Sequence, residues 1–243
     1  MIGVLKAWIE LIYPPRCPAC GSLTAPSQDG EGMGLCPVCL PRLKPLRAPF
    51  CMRCGVPLEG KYREARLCGS CLMKPPPFEI SRSCFLYEGA ALEIIHRFKY
   101  NGLANLVETL GPPLMDLARE ALPSGLEAIV TPVPLHPRKL RQRGFNQSLL
   151  LARYVARLPG LTLDPFCLRR LRDTPRQVDL GREERRRNVR NAFEVPDPRR
   201  IKDREVLLVD DVSTTGSTLE SCSRALLAAG ASRVYCLSSA RAV

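Results

Sequence analysis

Apolar positions follow two periods along this chain. Val206-Leu207-Leu208-Val209 runs without polar alternation, which predicts a strand over 205–212 buried on both faces, as in a parallel sheet covered by helices. Shorter runs predict strands over 83–87, 127–131, 167–171 and 232–238. Between them the spacing turns helical. Residues 91–100 form a helix closed by Asn101-Gly102, Phe145 opens another over 145–158, and 219–229 a third, ended by Gly230. Leu103, Leu106, Val107 and Leu110 share one helical face and Leu114, Leu117, Ala118 and Ala121 another, with Pro112-Pro113 expected to interrupt. Leu5, Trp8, Ile9 and Ile12 at i, i+3, i+4 and i+7 predict an amphipathic helix over 1–14, stopped at Pro14-Pro15 and packed on the rest of the protein. Strands alternating with helices indicate an α/β fold with a parallel sheet flanked by helices over 78–243.

Residues 15–74 break this pattern. They carry four CxxC pairs, Cys17/Cys20, Cys36/Cys39, Cys51/Cys54 and Cys68/Cys71, out of 12 cysteines. The pairs repeat: CPACG precedes CPVCL, and CMRCG precedes CGSCL. A knuckle ending in Gly thus precedes one ending in Leu twice, which argues for two ribbons in succession, each giving four thiolates to one structural Zn²⁺. Cross-braced pairing stays open, because spacing cannot fix connectivity. A four-cysteine site has no open coordination position, so these metals serve folding rather than chemistry. Pro75-Pro76-Pro77 reads as the linker out of this region. Cys84, Cys167, Cys222 and Cys236 stand outside the pairs and read as buried small apolar residues.

With 243 residues, 45% of them apolar, the chain is long enough for one large domain and one small one. It has no apolar run of membrane-spanning length and no export-signal pattern, so the expected location is cytoplasmic. The formal charge is +12, and between His136 and Arg190 there are 15 Lys plus Arg against 5 Asp plus Glu. So basic a stretch attracts polyanions: nucleic acid, a membrane surface or a pyrophosphate-bearing small molecule.

The chemistry gathers where the 205–212 strand ends. Asp210 and Asp211 stand at the carboxyl end, where α/β sheets bind ligands. Thr214, Thr215, Gly216, Ser217 and Thr218 follow with hydroxyls and successive N–H groups at a helix start, a concavity suited to one phosphate. The adjacent carboxylates can accept from vicinal hydroxyls or help hold Mg²⁺, so the implied ligand is a ribose 5-phosphate with a substituent at C1. Simple turning and capping by Asp211 and Ser213 would explain one polar residue, not the whole block. Upstream, Arg138, Lys139, Arg141 and Arg143 follow the 127–131 strand as a cationic loop, and an arginine fork suits phosphate oxygens. Residues 173–191 are charged and nearly free of apolar side chains, a candidate mobile loop that could close over a water-sensitive reaction, or a basic loop that binds nothing in particular. His96 has no second ligand or nucleophile near it in sequence and receives no role.

The block VLLVDDVSTTGST at 206–218 resembles the phosphoribosyl-pyrophosphate (PRPP) loop of type I phosphoribosyltransferases. Together with the cysteine knuckles, HRFKYNG at 96–102, PVPLHPRKLRQRGFNQ at 132–147 and TPRQVDLGREERRRNVRNAF at 174–193, it makes nearly the whole chain similar to the ComF family. That resemblance implies a type I phosphoribosyltransferase-like domain behind a double zinc ribbon, and an association with competence and DNA uptake. It implies that Asp210 and Asp211 meet the ribose hydroxyls, that 214–218 hold the 5-phosphate, and that the basic residues at 138–143, with the loop around Gln177, Arg185 and Asn188, close on the pyrophosphate of PRPP carried with Mg²⁺. Ser213 and Ser217 depart from the apolar or smaller residues expected there, a small change in a backbone-mediated phosphate site. No residue identifies an acceptor base. Three functions therefore stand side by side: a PRPP-binding protein of DNA uptake that acts with uptake proteins and is able to transfer the phosphoribosyl group, a nucleotide-salvage phosphoribosyltransferase, and a non-catalytic single-stranded DNA-binding adaptor regulated by PRPP. Only 6% of residues are aromatic, which leaves few stacking platforms for the last.

Overall fold

A computed structural model describes residues 14–24, 33–60, 66–172 and 192–243. Residues 1–13 of the expected helix over 1–14 and the loop residues Gln177, Arg185 and Asn188 lie outside the described residues. The sheet has five parallel strands: β1 (Ser81–Leu86), β2 (Ala128–Pro132), β3 (Leu161–Leu163), β6 (Glu205–Ser213) and β7 (Arg233–Arg241), in the order β1-β7-β6-β2-β3. Two short strands, β4 (Arg169–Arg170) and β5 (Phe193–Glu194), pair antiparallel beside it. The longer helices are α2 (Gly89–Tyr100), α3 (Val107–Ala121), α5 (Gln147–Val155) and α6 (Ser217–Ala228), with α1 (Gly69–Met73) in the ribbon region and α4 (Pro137–Arg143) after β2.

The unbroken apolar run in β6 has the expected cause. Leu207 and Val209 pack into a core with Ile94, Phe98, Leu110, Leu114 and Leu151, whereas Val206 and Leu208 join Leu219, Cys222 and Leu226 in a second core. One strand faces two helical layers, so neither set of residues can be polar. The chain leaves β2 through α5 towards β3 and leaves β6 through α6 towards β7, and the two helices lie in different cores. Neighbouring strands whose connections run in opposite directions open a crevice at their carboxyl ends, and Asp210 sits at that switch point.

Three local expectations need correction. Pro112-Pro113 does not interrupt: α3 is one helix from Val107 to Ala121 with both prolines inside. Each proline removes one N–H, but Leu110, Leu114 and Ala118 are buried on one stripe, and that packing outweighs two missing hydrogen bonds. Gly111 fits the same contact, since a Cβ there would stand 2.5 Å from the Tyr154 ring. The basic residues at 138–143 form helix α4 rather than a loop, because Pro137 opens it, His136 caps it by accepting from Arg138 N–H, and Gly144 ends it at φ 80°. Finally, β3 was not foreseen, its three residues being too short for a periodic signal.

The ribbons are built onto the domain. Lys44 O accepts from Leu86 N–H, Leu46 N–H donates to Cys84 O, and Pro45 bridges Phe85, so this stretch runs along the outer edge of β1. Cys17, Ala19, Cys36 and Cys39 belong to the same core as Ile94, Ile95 and Phe98.

Candidate functional site

The cysteines group as two sequential sets of four, Cys17/Cys20/Cys36/Cys39 and Cys51/Cys54/Cys68/Cys71, each with its sulfurs within 4.8 Å of one another. Cross-bracing is excluded by this grouping. The Cys20–Cys36 and Cys54–Cys68 sulfur distances are 3.8 and 3.7 Å. Tetrahedral Zn²⁺ at about 2.3 Å from each sulfur spaces them about 3.8 Å apart, whereas a disulfide holds them at about 2.05 Å. The two sites repeat in detail: Cys36 N–H points to Cys17 Sγ at 3.5 Å, and Cys68 N–H to Cys51 Sγ at 3.3 Å. Both sets fit structural zinc.

The crevice beside β6 holds a cavity of about 480 Å³, in the range of small-molecule sites. Asp210 and Asp211 line it and are 9% and 7% exposed. Asp210 Oδ1 accepts from Ser148 Oγ at 3.0 Å and from Asp211 N–H at 2.9 Å. Lys99 Nζ stands 3.0 Å from Asp211 Oδ2. Burial, and then the neighbouring Asp211 charge, push the Asp210 carboxyl up to about 7. Burial works against the Lys99 ammonium, yet the Asp211 charge outweighs it and raises its pKa. The pair at the strand end is thus one lysine-bound carboxylate and one carboxyl that titrates near neutrality.

The phosphate candidates divide. Thr214 and Thr218 line this cavity, while Thr215 and Gly216 line a second cavity of about 300 Å³ behind the loop. Ser217 is buried, its hydroxyl 2.7 Å from Thr215 Oγ1. Gly216 caps α6 at φ 78°, a left-handed conformation that glycine adopts without strain. Among the basic residues of α4, Lys139 and Arg143 line the 480 Å³ cavity, whereas Arg138 and Arg141 are exposed on the other side of the helix. Arg143 donates to Gln147 Oε1 at 3.1 Å and lies over the Tyr100 ring at 5.2 Å.

Several lining residues were not anticipated: Lys99, Ser148, Tyr87, Tyr100 and Arg170, with His96, which had received no role. The HRFKYNG string contains His96, Lys99 and Tyr100, so a role for that string in ligand binding was the one available signal. Ser148 and Tyr87 gave none.

The double zinc ribbon domain family matches residues 8–72 and the phosphoribosyl transferase domain family residues 159–242. "DNA utilization protein YhgH" of Salmonella typhimurium is 33% identical over 209 residues, covering 84% of this chain and 89% of that protein. "Competence protein F" of Haemophilus influenzae is 32% identical over 86% of this chain and 91% of its own length. "Competence protein ComFC" of Bacillus subtilis is 25% identical over 81% and 79%. Among the described residues, no helix is long and apolar enough to cross a membrane.

Proposed function

As the chain belongs to the ComF family, we propose that it serves DNA uptake or utilisation as a PRPP-binding protein able to transfer the phosphoribosyl group. The observation that carries this reading is the buried Asp210–Asp211 pair at the topological switch point, set in a cavity that also presents Lys139, Arg143, Thr214 and Thr218. Two carboxylates side by side accept from vicinal ribose hydroxyls. The hydroxyls of Thr214 and Thr218, with N–H groups of the 214–218 loop at the positive end of α6, receive the 5-phosphate. Lys139 and Arg143 meet the pyrophosphate, while Arg138 and Arg141, on the other side of the helix, add only to the positive field around the site. Bound Mg²⁺, arriving with PRPP, would neutralise part of the pyrophosphate charge. Gln177, Arg185 and Asn188 are assigned to the closing loop by their place in the family pattern. Tyr87, His96 and Tyr100 line the same cavity and offer aromatic faces for an acceptor ring. Transfer breaks the C1–O bond to pyrophosphate, forms a bond from C1 to the acceptor nitrogen, and releases the acceptor's proton.

The test is calorimetric titration with PRPP and Mg²⁺, followed by incubation with a panel of bases while pyrophosphate release is measured. Saturable, Mg²⁺-dependent binding is expected, with release for one class of base. Absence of saturable binding would sink the reading; binding with no release for any base would reduce it to a PRPP sensor.

The raised Asp210 pKa gives a further expectation. Between the unfolded value of about 4 and about 7 the folded chain holds the extra proton, so ligand-free stability falls as pH rises through this window. Ribose hydroxyls favour the ionised acceptor, and lowering the pH from 7 to 6 removes about four fifths of it, so PRPP affinity falls about fivefold more than in Asp210→Asn. Identical pH profiles of the two proteins would contradict this.

A further inference from the structure

The second ribbon is fastened to the sheet by two arginines that pair with no carboxylate among the described residues. Arg82 of β1 and Arg241 of β7 are 7% and 6% exposed, and among the described residues no ion pair reaches either. Arg82 donates to Met52 O at 2.8 Å and to Ser81 O at 2.9 Å. Arg241 Nη1 donates to Cys54 O at 2.8 Å, and its Nε has no partner. Both guanidinium groups therefore grip the 51–54 knuckle. A buried cation without a counter-charge costs several kcal/mol; burial lowers the pKa of both guanidinium groups, and what opposes it is the cysteines, Cys51 and Cys54 for Arg82 and all four of the second set for Arg241. Four thiolates and one Zn²⁺ leave two net negative charges, which two guanidinium groups balance.

Arg241 also touches the ligand site through its backbone. It pairs with Ser213, the residue before the phosphate loop, and Ala242 N–H donates to Ser213 O at 2.9 Å. On its other side, Tyr87 N–H donates to Arg241 O at 2.7 Å, and Tyr87 lines the ligand cavity. The 300 Å³ cavity is lined by Cys54, Cys68 and Cys71 of the ribbon together with Thr215 and Gly216 of the phosphate loop, and by Ser81 and Arg241. The approach is tight: a Cβ on Gly55 would lie 2.3 Å from Ser81 O. Ribbon and phosphate loop thus share the lining of one cavity.

We propose that Arg241, with Arg82, is the counter-cation of the second zinc–thiolate site, and that Arg241 is thereby a positioning residue for the phosphate loop, so that metal loading of the second ribbon governs affinity for the sugar phosphate. The second half rests on the PRPP reading above.

Zinc affinity is measured by equilibrium competition with a colorimetric chelator, with and without PRPP and Mg²⁺. In the unmodified chain PRPP tightens one of two zinc sites, and by linkage that zinc tightens PRPP by the same factor. In Arg241→Met one zinc weakens by at least about tenfold, the usual cost of losing an outer-shell partner, and PRPP affinity falls with it at limiting zinc. Arg241→Lys keeps the charge and recovers part of both, and the exposed Arg119→Met changes neither. Two zincs of unmodified affinity in Arg241→Met would overturn the counter-cation role. Loss of the second zinc with undiminished PRPP affinity would overturn the coupling. The linkage measurement needs no variant, so a poorly folding Arg241→Met does not block it. An unmodified chain that fails to bind PRPP would refute the ligand reading and the coupling with it, while the zinc competition still decides the role of Arg241.

Discussion

Asp210→Asn combined with Asp211→Asn lowers PRPP affinity by at least about a hundredfold. The magnitude follows from charge-assisted hydrogen bonds, each worth about 1.5–3 kcal/mol, with two lost together. Asparagine keeps the shape, so the loss measures charge. The single variants separate the roles. Asp210→Asn removes a carboxyl whose ionisation burial opposes, and the ligand-free protein gains stability at pH 8. Asp211→Asn instead strands Lys99, whose side chain is 16% exposed and whose ion pair is Asp211, and a buried charge left without its partner is destabilising. Lys99→Met beside Asp211→Asn restores that stability but not PRPP affinity, which distinguishes a folding defect from a lost ribose contact. Calorimetry and thermal melts read the two. Unchanged affinity in the double variant would refute the ribose assignment.

How much of this site the sequence disclosed depends on how local each signal is. Val206-Leu207-Leu208-Val209, the acid pair and the small-residue block lie in one stretch, and they became strand, switch point and helix start as their order implied. The cysteine spacing likewise gave two metal sets, though only the fold shows which four meet. Lys99 and Ser148 could not be read this way. Lys99 sits 112 positions before Asp211 on α2, and Ser148 sits 62 before Asp210 on α5; what brings them together is the packing of both helices on one face of the sheet. The same packing carries α3 through Pro112-Pro113 against their local preference. Where tertiary contacts decided, local pattern misled or was silent. The join between ribbon and phosphate loop belongs to this class, since nothing in the run of residues around Arg241 announces a partner 187 positions away.

The first ribbon should prove at least as consequential for folding as the second is for the loop. Cys39→Ser lowers zinc from two to one per chain and the melting temperature by at least about 10 °C, taking several kcal/mol of lost metal-site energy at about 2–4 °C per kcal/mol. The reason is where the cluster sits. Cys17, Cys36 and Cys39 are buried in the main core beside Ile94, Ile95 and Phe98, so without metal a serine hydroxyl at position 39 would be left unpaired there and the remaining thiols would lose the ion that holds them together. Arg97 of α2 donates to both Cys17 O and Pro18 O at 2.9 Å, holding the first knuckle to the helix that carries Lys99 two residues on. Loosening the knuckle therefore frees the helix end that neutralises Asp211. Cys84→Ser, outside both clusters, controls for the loss of a thiol as such and keeps two zinc ions. A Cys39→Ser chain that retains both ions, or melts with the unmodified protein, would show that the first cluster is packing rather than a metal-dependent part of the core.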